Sequence, residues 1–491
     1  MAYVMRNSTS ATVRIPECKG LLQYGDSVGM DPRYAADCVN ALTTQGMLRP
    51  MGACTLLAPE TPAPIQTLAR LYRRWYAPDG QHEVLIAAAG GQLYWMLPQS
   101  EAWTKLDMPY GWTQRNYLSD VWSWAAYEIN VADRDAPVDV LLMSNAQDGM
   151  ICIRGDNMAV SAIATPKKFG VIARYAERIW GGGIPDDPDL LVYSAPYDPF
   201  DWSPNTDIPE DGAGDVLQPS WDGDSFTALT SLGSQLIAFK KTRVWRVLGT
   251  NPGEYVFKEQ YGGGTPCPQT VAVDTARILM LGRDGVCCYD GESAAPFQQE
   301  CAQKVFERIN PDALGETAAC LWNGTYYCAL PLDGSLTNNA VLLFSTRENT
   351  WLLRDDVAVE SFLPTEDALF FTSAQTPGRI WQWQEDCMRT GSAQPMRWIS
   401  GWQDLGANDV QKHGFRLYLC VECTRDTPIR LTVETENRVC TKNVVFHPGT
   451  KQRCIPFRVY GRRFRLRVES DGATPWQLLG GMQMEMDTEV D

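Results

Sequence analysis

The sequence predicts an all-β protein: a β-propeller of six or seven blades, with an irregular N-terminal arm and a C-terminal antiparallel β-sandwich. Three observations predict it. Between 226 and 291 the chain reads FTALTSLGSQLIAFKKTRVWRVLGTNPGEYVFKEQYGGGTPCPQTVAVDTARILMLGRDGVCCYDG, short apolar runs broken by Gly, Pro, Asn and Asp turns roughly every ten residues. The same grammar recurs along most of the chain at irregular intervals of about 35 to 60 residues, as repeated sheet units do. The 17 Trp and 19 Tyr favour strands and sheet faces. At 491 residues the chain exceeds one ordinary core, so one large unit with an appendage is expected.

Residues 1–60 form the arm, punctuated by glycine and proline. Within it PRYAADCVNAL at 32–42 places Tyr34, Ala35, Cys38, Val39 and Leu42 at the i, i+4, i+8 spacing of a short helix packed on one side. The propeller spans 61–386. Its first module, 65–106, holds four candidate strands, and the second, 139–163, turns at Asp148-Gly149, a strong short-range hairpin signal. A third contains VIARYAERIWGGG and LLVYSAPYDPFDWSP. The fourth and fifth lie in the segment quoted above, the latter around Asp284-Gly285. The sixth, 317–354, turns at Asn323-Gly324 and Asp333-Gly334, and the seventh covers 361–383. Radial closure would remove most exposed strand edges; a pair of stacked sandwiches is the structural alternative. The polar tract QEDCMRTGSAQ at 384–394 reads as a linker. In the sandwich, 395–491, Ile429, Leu431 and Val433 alternate with Arg430, Thr432 and Glu434, and Phe464, Leu466 and Val468 alternate with Arg463, Arg465 and Arg467, the period of half-buried strands.

The formal charge of −16 argues against a protein that wraps nucleic acid, which needs clustered Lys and Arg. Yet 412–467 holds 13 Lys or Arg against 4 Asp or Glu, an asymmetry that fits complementary contacts between subunits or partners, or else a solvated mixed face. The opening residues lack the apolar core of a secretory signal, and no run of eighteen apolar residues occurs, so a cytosolic chain without membrane insertion is expected. The 15 Cys lack a disulfide spacing and read as free thiols.

Chemistry is sparse. Cys420 and Cys423 stand three apart on a strand and so point to opposite faces, with no second pair at a metal-binding spacing. His82, His413 and His447 sit beside turns without a nucleophile motif, and no G-x-S-x-G, P-loop or dinucleotide fingerprint appears. The pairs Asp186-Asp187, Asp355-Asp356 and Glu385-Asp386 read as solvated turn acids before a glycosidase pair. No catalytic, cofactor-binding or metal residue is therefore expected. The most specific charged feature is the row Arg463, Arg465 and Arg467 with Arg462 beside it, a candidate interface or DNA-facing patch. An acidic neighbouring subunit, an acidic blade or DNA phosphate would each serve as counterpart, and a solvent-facing strand is the plain alternative.

Met30-Asp31-Pro32, Cys38-Val39-Asn40-Ala41-Leu42 and Gly46-Met47-Leu48-Arg49-Pro50 resemble the opening of bacteriophage virion proteins in which an extended arm precedes a propeller. ARYAERIWGGGIPDDPDLLVYSAPYDPFDW at 173–202, SLGSQLIAFKKTRVWRVLGT at 231–250 and LGRDGVCCYDG at 281–291 are similar to segments of the same proteins, and GRRFRLRVES followed by WQLLGGMQMEM is similar to their C-terminal sandwich. The resemblance implies a tail nozzle or head-to-tail stabilisation protein of a tailed phage, assembled in the host cytoplasm into the virion. It implies a homo-oligomeric ring, commonly of six copies, that meets the portal or adaptor above and distal tail or fibre proteins below. DNA would pass through the lumen without sequence-specific binding, and an acidic wall would keep it mobile by repulsion. The resemblance supplies no catalytic residue. A receptor- or glycan-binding or -cleaving propeller of the phage tail is the alternative, and a cellular propeller scaffold a third reading.

Overall fold

Turn chemistry sets the strand boundaries. Asn323 and Gly324 both take positive φ, 48° and 73°, and Trp322 pairs directly with Thr325 across them, the two-residue mirror-image turn that matches strand twist. Asn145 accepts from the backbone N–H of Gln147 and Asp148 at 2.9 and 2.6 Å, so its side chain shapes the loop that precedes Gly149. In this computed structural model the described residues are 9–24, 28–109, 119–219, 223–261 and 263–490.

Hairpins of this kind build seven four-stranded antiparallel blades. Blade one comprises Ile65–Tyr72, Glu83–Ala89, Gln92–Met96 and Thr104–Lys105. Blade two comprises Ser123–Ile129, Val138–Asn145, Gly149–Arg154 and Val160–Ile163. Blade three comprises Val171–Tyr175, Arg178–Gly182, Leu190–Tyr193 and Gly214–Leu217, and blade four Ala228–Leu232, Gln235–Phe239, Arg243–Leu248 and Val256–Tyr261. Blade five comprises Ala272–Asp274, Arg277–Leu281, Val286–Tyr289 and Ala294–Pro296, and blade six Ala318–Trp322, Thr325–Leu330, Ala340–Ser345 and Thr350–Arg354. Second strands are the most fully buried because both their faces are covered: all eight residues of Val138–Asn145 are buried.

The first strands lie innermost: those of blades one to four adjoin in turn, and those of blades five, six, seven and one do likewise. Separate apolar clusters join the blades face to face. Leu71, Ile86, Leu141 and Ile153 join blades one and two; Val140, Cys152, Ile172 and Ile179 join two and three; Trp180, Leu191, Leu236 and Trp245 join three and four. Phe239, Val244, Ile278 and Tyr289 join four and five, and Leu68, Leu85, Leu363 and Phe370 return from seven to one. A β-propeller of seven blades results.

Closure uses the N-terminal segment. Blade seven takes Ser361–Pro364, Leu369–Thr372 and Arg379–Gln382 from one end of the chain. Its fourth strand is Thr55–Glu60, paired Arg379 to Glu60 and Gln382 to Thr55. The clasp ties residues more than 300 positions apart.

The same arm enters the sandwich twice. One sandwich sheet orders Thr9–Ile15, Trp476–Val490, Val410–Cys423 and Gly449–Gly461. The other orders Ala35–Val39, Met396–Ser400, Phe464–Ser470, Thr427–Thr435 and Val439–Phe446. Val39 also pairs in parallel with Leu353 of blade six, so one nine-stranded sheet runs from propeller into sandwich. The sandwich core of Phe415, Leu417, Leu431, Leu466, Val468 and Trp476 is continuous with that of blades five to seven.

The helix expected at 32–42 is instead the strand Ala35–Val39. An eleven-residue helix is marginal by itself in water, whereas here ladders are open on both sides. A bulge between Ala35 and Asp37 lets Ala35, Cys38 and Val39 all turn inward at a spacing that imitates a helix. The tract 384–394 is likewise tied down rather than a free linker: Asp386 caps the short helix Cys387–Thr390 by accepting from Met388 at 2.9 Å, and Met51 bridges to Asp386.

Candidate interaction surfaces

The arginine row resolves into two pairs. Along Phe464–Ser470 the apolar residues Phe464, Leu466 and Val468 are buried, which turns Arg465 and Arg467 to the opposite face. There Glu434, directly across the ladder from Arg465, takes its guanidinium with both oxygens at 2.8 and 2.9 Å, and Trp402 stacks at 4.7 Å. Arg467 lies 4.0 Å from Glu434 and 3.8 Å from Glu469. The counter-charge for these two is therefore supplied within the chain. Arg462 and Arg463, at the preceding turn, are exposed. Partial burial raises the Glu436 carboxyl, but the backbone N–H groups of Arg462 and Arg463 outweigh it and hold the pKa below the usual carboxylate range.

Other sequence candidates also serve structure. His82 Nδ1 meets the Arg73 carbonyl at 2.6 Å, His447 Nδ1 meets Asp426 at 2.9 Å, and His413 stands 3.9 Å from Glu489. Asp187 pairs with Lys167, Asp355 accepts from Asn40 at 2.7 Å, Asp356 binds Arg354, and Glu385 accepts from Tyr327 and Trp383. Cys420 pairs with Gln452 on the outer face while Cys423 is buried within the sandwich. Among the described residues no group of three His, Cys, Asp or Glu is placed to hold a metal. A cleft of about 690 Å³ lies where blade six meets the sandwich, between Asn40, Asp355, Arg397, Arg430, Glu469 and Asp471.

All fifteen cysteines are unpaired. Burial pushes the thiols of Cys18 and Cys152 up to about 12 and those of Cys267, Cys301 and Cys387 to about 11, which leaves little thiolate at neutral pH. Cys454 alone is exposed. Native alkylation followed by mass spectrometry should therefore give the first adduct at Cys454, with the buried Cys18, Cys38, Cys152, Cys267, Cys320, Cys328, Cys387 and Cys423 modified only on unfolding.

Sequence reading passed over an acidic surface of the propeller. Blade three carries a long connection between its third and fourth strands, and 186–215 contains nine Asp or Glu and no Lys or Arg. Seven of these acids, Asp186, Asp198, Asp201, Asp207, Glu210, Asp211 and Asp215, are exposed. Tyr197, Ile208 and Leu217 are 75%, 52% and 62% exposed among them. The missed signal was a run of one charge sign, which counts only when its length is set against the whole chain.

Arg178 holds this connection at its root. Its guanidinium is 1% exposed, donates to the Ser194 and Gly212 carbonyls at 2.8 and 2.6 Å and to that of Glu210, and lies 5.3 Å over Tyr193. Hydrogen bonds to a charged donor contribute about 1.5–3 kcal/mol each, without strict additivity. Arg178→Ala should accordingly raise the rate of limited proteolysis within 194–213 by tenfold or more, on the order of one such bond, while the other blades keep their resistance.

No family model matches the chain, and no curated protein matches it. Solved structures that are similar to it include the Neurospora crassa Pan2 WD40 domain, at 8% identity over 65% of this chain and 89% of that one with a TM-score of 0.37. BBS1N in its complex with ARL6DN matches at 8% identity over 68% and 97%, TM-score 0.39. BamB from Moraxella catarrhalis matches at 10% identity over 77% and 97%, TM-score 0.34.

Proposed function

We propose that this chain is a structural protein of a tailed-bacteriophage virion, a tail nozzle or head-to-tail connector whose copies close into a ring around the DNA channel below the portal or adaptor. The observation that carries the reading is the fused sheet: nine strands pass from blade six through Ala35–Val39 into the sandwich. Together with the clasp at Thr55–Glu60, this removes the hinge that a two-domain chain ordinarily has at its linker. A stiff block suits a wall that must hold its shape while DNA moves past it. The net charge of −16 suits a lumen that repels rather than grips the nucleic acid.

Native mass measurement and negative-stain images of the purified chain test this. Closed rings, commonly of six copies, with an open axis and with affinity for a portal-type ring support it. A monomer at every concentration that retains or hydrolyses glycans would replace it with the receptor-binding reading.

A further inference from the structure

Two surfaces of opposite charge lie on different parts of the molecule. The sandwich ends in two edge strands, Val439–Phe446 and Gly449–Gly461, each the last in its sheet. Across 438–463 there are seven Lys or Arg and no Asp or Glu. Lys442, Lys451 and Arg458 are exposed, and no ion pair among the described residues engages them. Val439 and Tyr460, 58% and 49% exposed, add apolar area to the same edge.

Direct strand addition of one copy to another is disfavoured here. Pro456 lies in the middle of Gly449–Gly461 and has no N–H to give, and like charges on the edge repel a second such edge. What the edge fits is an acidic, partly apolar surface. The acidic stretch 186–215 of blade three, most of it the connection between the third and fourth strands, is one. Blade three stands three blades from blade six in one direction and four in the other, and the sandwich is built on blade six, so the two surfaces belong to non-adjacent parts of a copy.

We infer that the basic sandwich edge of one copy receives the acidic blade-three connection of the next. This rests on the ring reading above and assigns its contact. The contact is head-to-tail: each copy presents both halves, and repetition closes a ring if the rotation allows it.

Charge exchange tests it. In one variant Lys442, Lys451 and Arg458 become Glu; in the other Asp207, Asp211 and Asp215 become Lys. Sedimentation velocity is run from about 0.1 M to 1 M salt, where the Debye length falls from about 10 to 3 Å. The wild-type chain should sediment as a multi-copy species that dissociates as salt rises. Each variant alone should associate at least about tenfold more weakly with an unchanged melting temperature. The two mixed should recover the large species, because each supplies what the other now needs. Should a reversal lower the melting temperature, replacement of the same residues by Gln or Asn is measured instead, again with weakened association expected. Wild-type assembly that survives both reversals overturns this contact and leaves the ring reading standing. A wild-type chain that stays monomeric overturns both. An edge-reversed variant that assembles normally but loses retention on duplex DNA makes the edge a nucleic-acid surface and overturns the contact.

Discussion

Deletion of residues 1–60 should abolish folding of both domains rather than trim an appendage. The segment supplies the outer strand of blade seven, an edge strand of one sandwich sheet and the strand that joins the other sheet to blade six. Val13, Ile15, Leu21, Val39, Leu42, Leu48 and Met51 are each at most 8% exposed. Burial of such side chains contributes about 1.5–3 kcal/mol apiece, roughly 10–20 kcal/mol together, as large as the roughly 5–15 kcal/mol by which a folded domain is ordinarily stable. Backbone losses add to this, since Thr55–Glu60 and Ala35–Val39 leave unpaired groups on both neighbours. The deletion should yield insoluble chain, or a soluble one with the far-ultraviolet signal of unfolded polypeptide. Coexpression of 1–60 as a separate fragment should restore soluble protein, because the clasp needs the strand and not its covalent continuity. A deleted chain that keeps its strand content and protease resistance would show that the arm only decorates a self-sufficient propeller.

That dependence marks the limit of what was legible in the sequence. The strand-turn grammar is local: Asn323-Gly324 specifies its hairpin with the residues beside it, and the runs at 84–89, 140–143 and 326–330 announce a doubly covered strand by being apolar throughout. Hence the blades could be read one by one. Their closure could not, because nothing in Thr55–Glu60 names Arg379–Gln382 as its partner, and pairing over such a separation is decided by which ladder remains open after the rest has folded. Tyr34, Ala35, Cys38, Val39 and Leu42 misled for the same reason, since helical spacing is a weak preference that two open strand edges override. The arginine row was legible as a face, yet its counter-ion was not. Glu434 meets Arg465 through sheet register, and register belongs to the pair of strands rather than to either alone.

Arg354→Met should be the most damaging single substitution at the propeller–arm junction. The Arg354 side chain is 0% exposed, at the end of blade six, and every direction from it meets a different part of the fold. Asp356 takes Nε and one terminal nitrogen at 2.6 and 2.9 Å. The carbonyls of Gln384, just beyond blade seven, and of Gly52, just before the clasp, accept at 2.7 and 2.9 Å. Trp383 lies 4.5 Å beneath the guanidinium, adding a cation–π contact. Methionine fills much of the volume but strands the Asp356 carboxylate, whose side chain is only 16% exposed, together with two carbonyls. Breaking a buried pair from one side costs about 3–5 kcal/mol, read as a lowered denaturant midpoint. Lysine should recover little of this, because a single ammonium cannot reproduce a planar fork that serves a carboxylate and two carbonyls at once. Adding Asp356→Asn to Arg354→Met should recover part of the loss, since it removes the uncompensated charge and leaves only neutral groups unpaired. Hydrogen exchange separates this account from a general loss of packing: amides of Thr55–Glu60 should exchange faster in Arg354→Met, while those of Val138–Asn145, across the ring, keep their protection. Equal acceleration in both strands would mean that Arg354 supports the propeller as a whole and not the clasp.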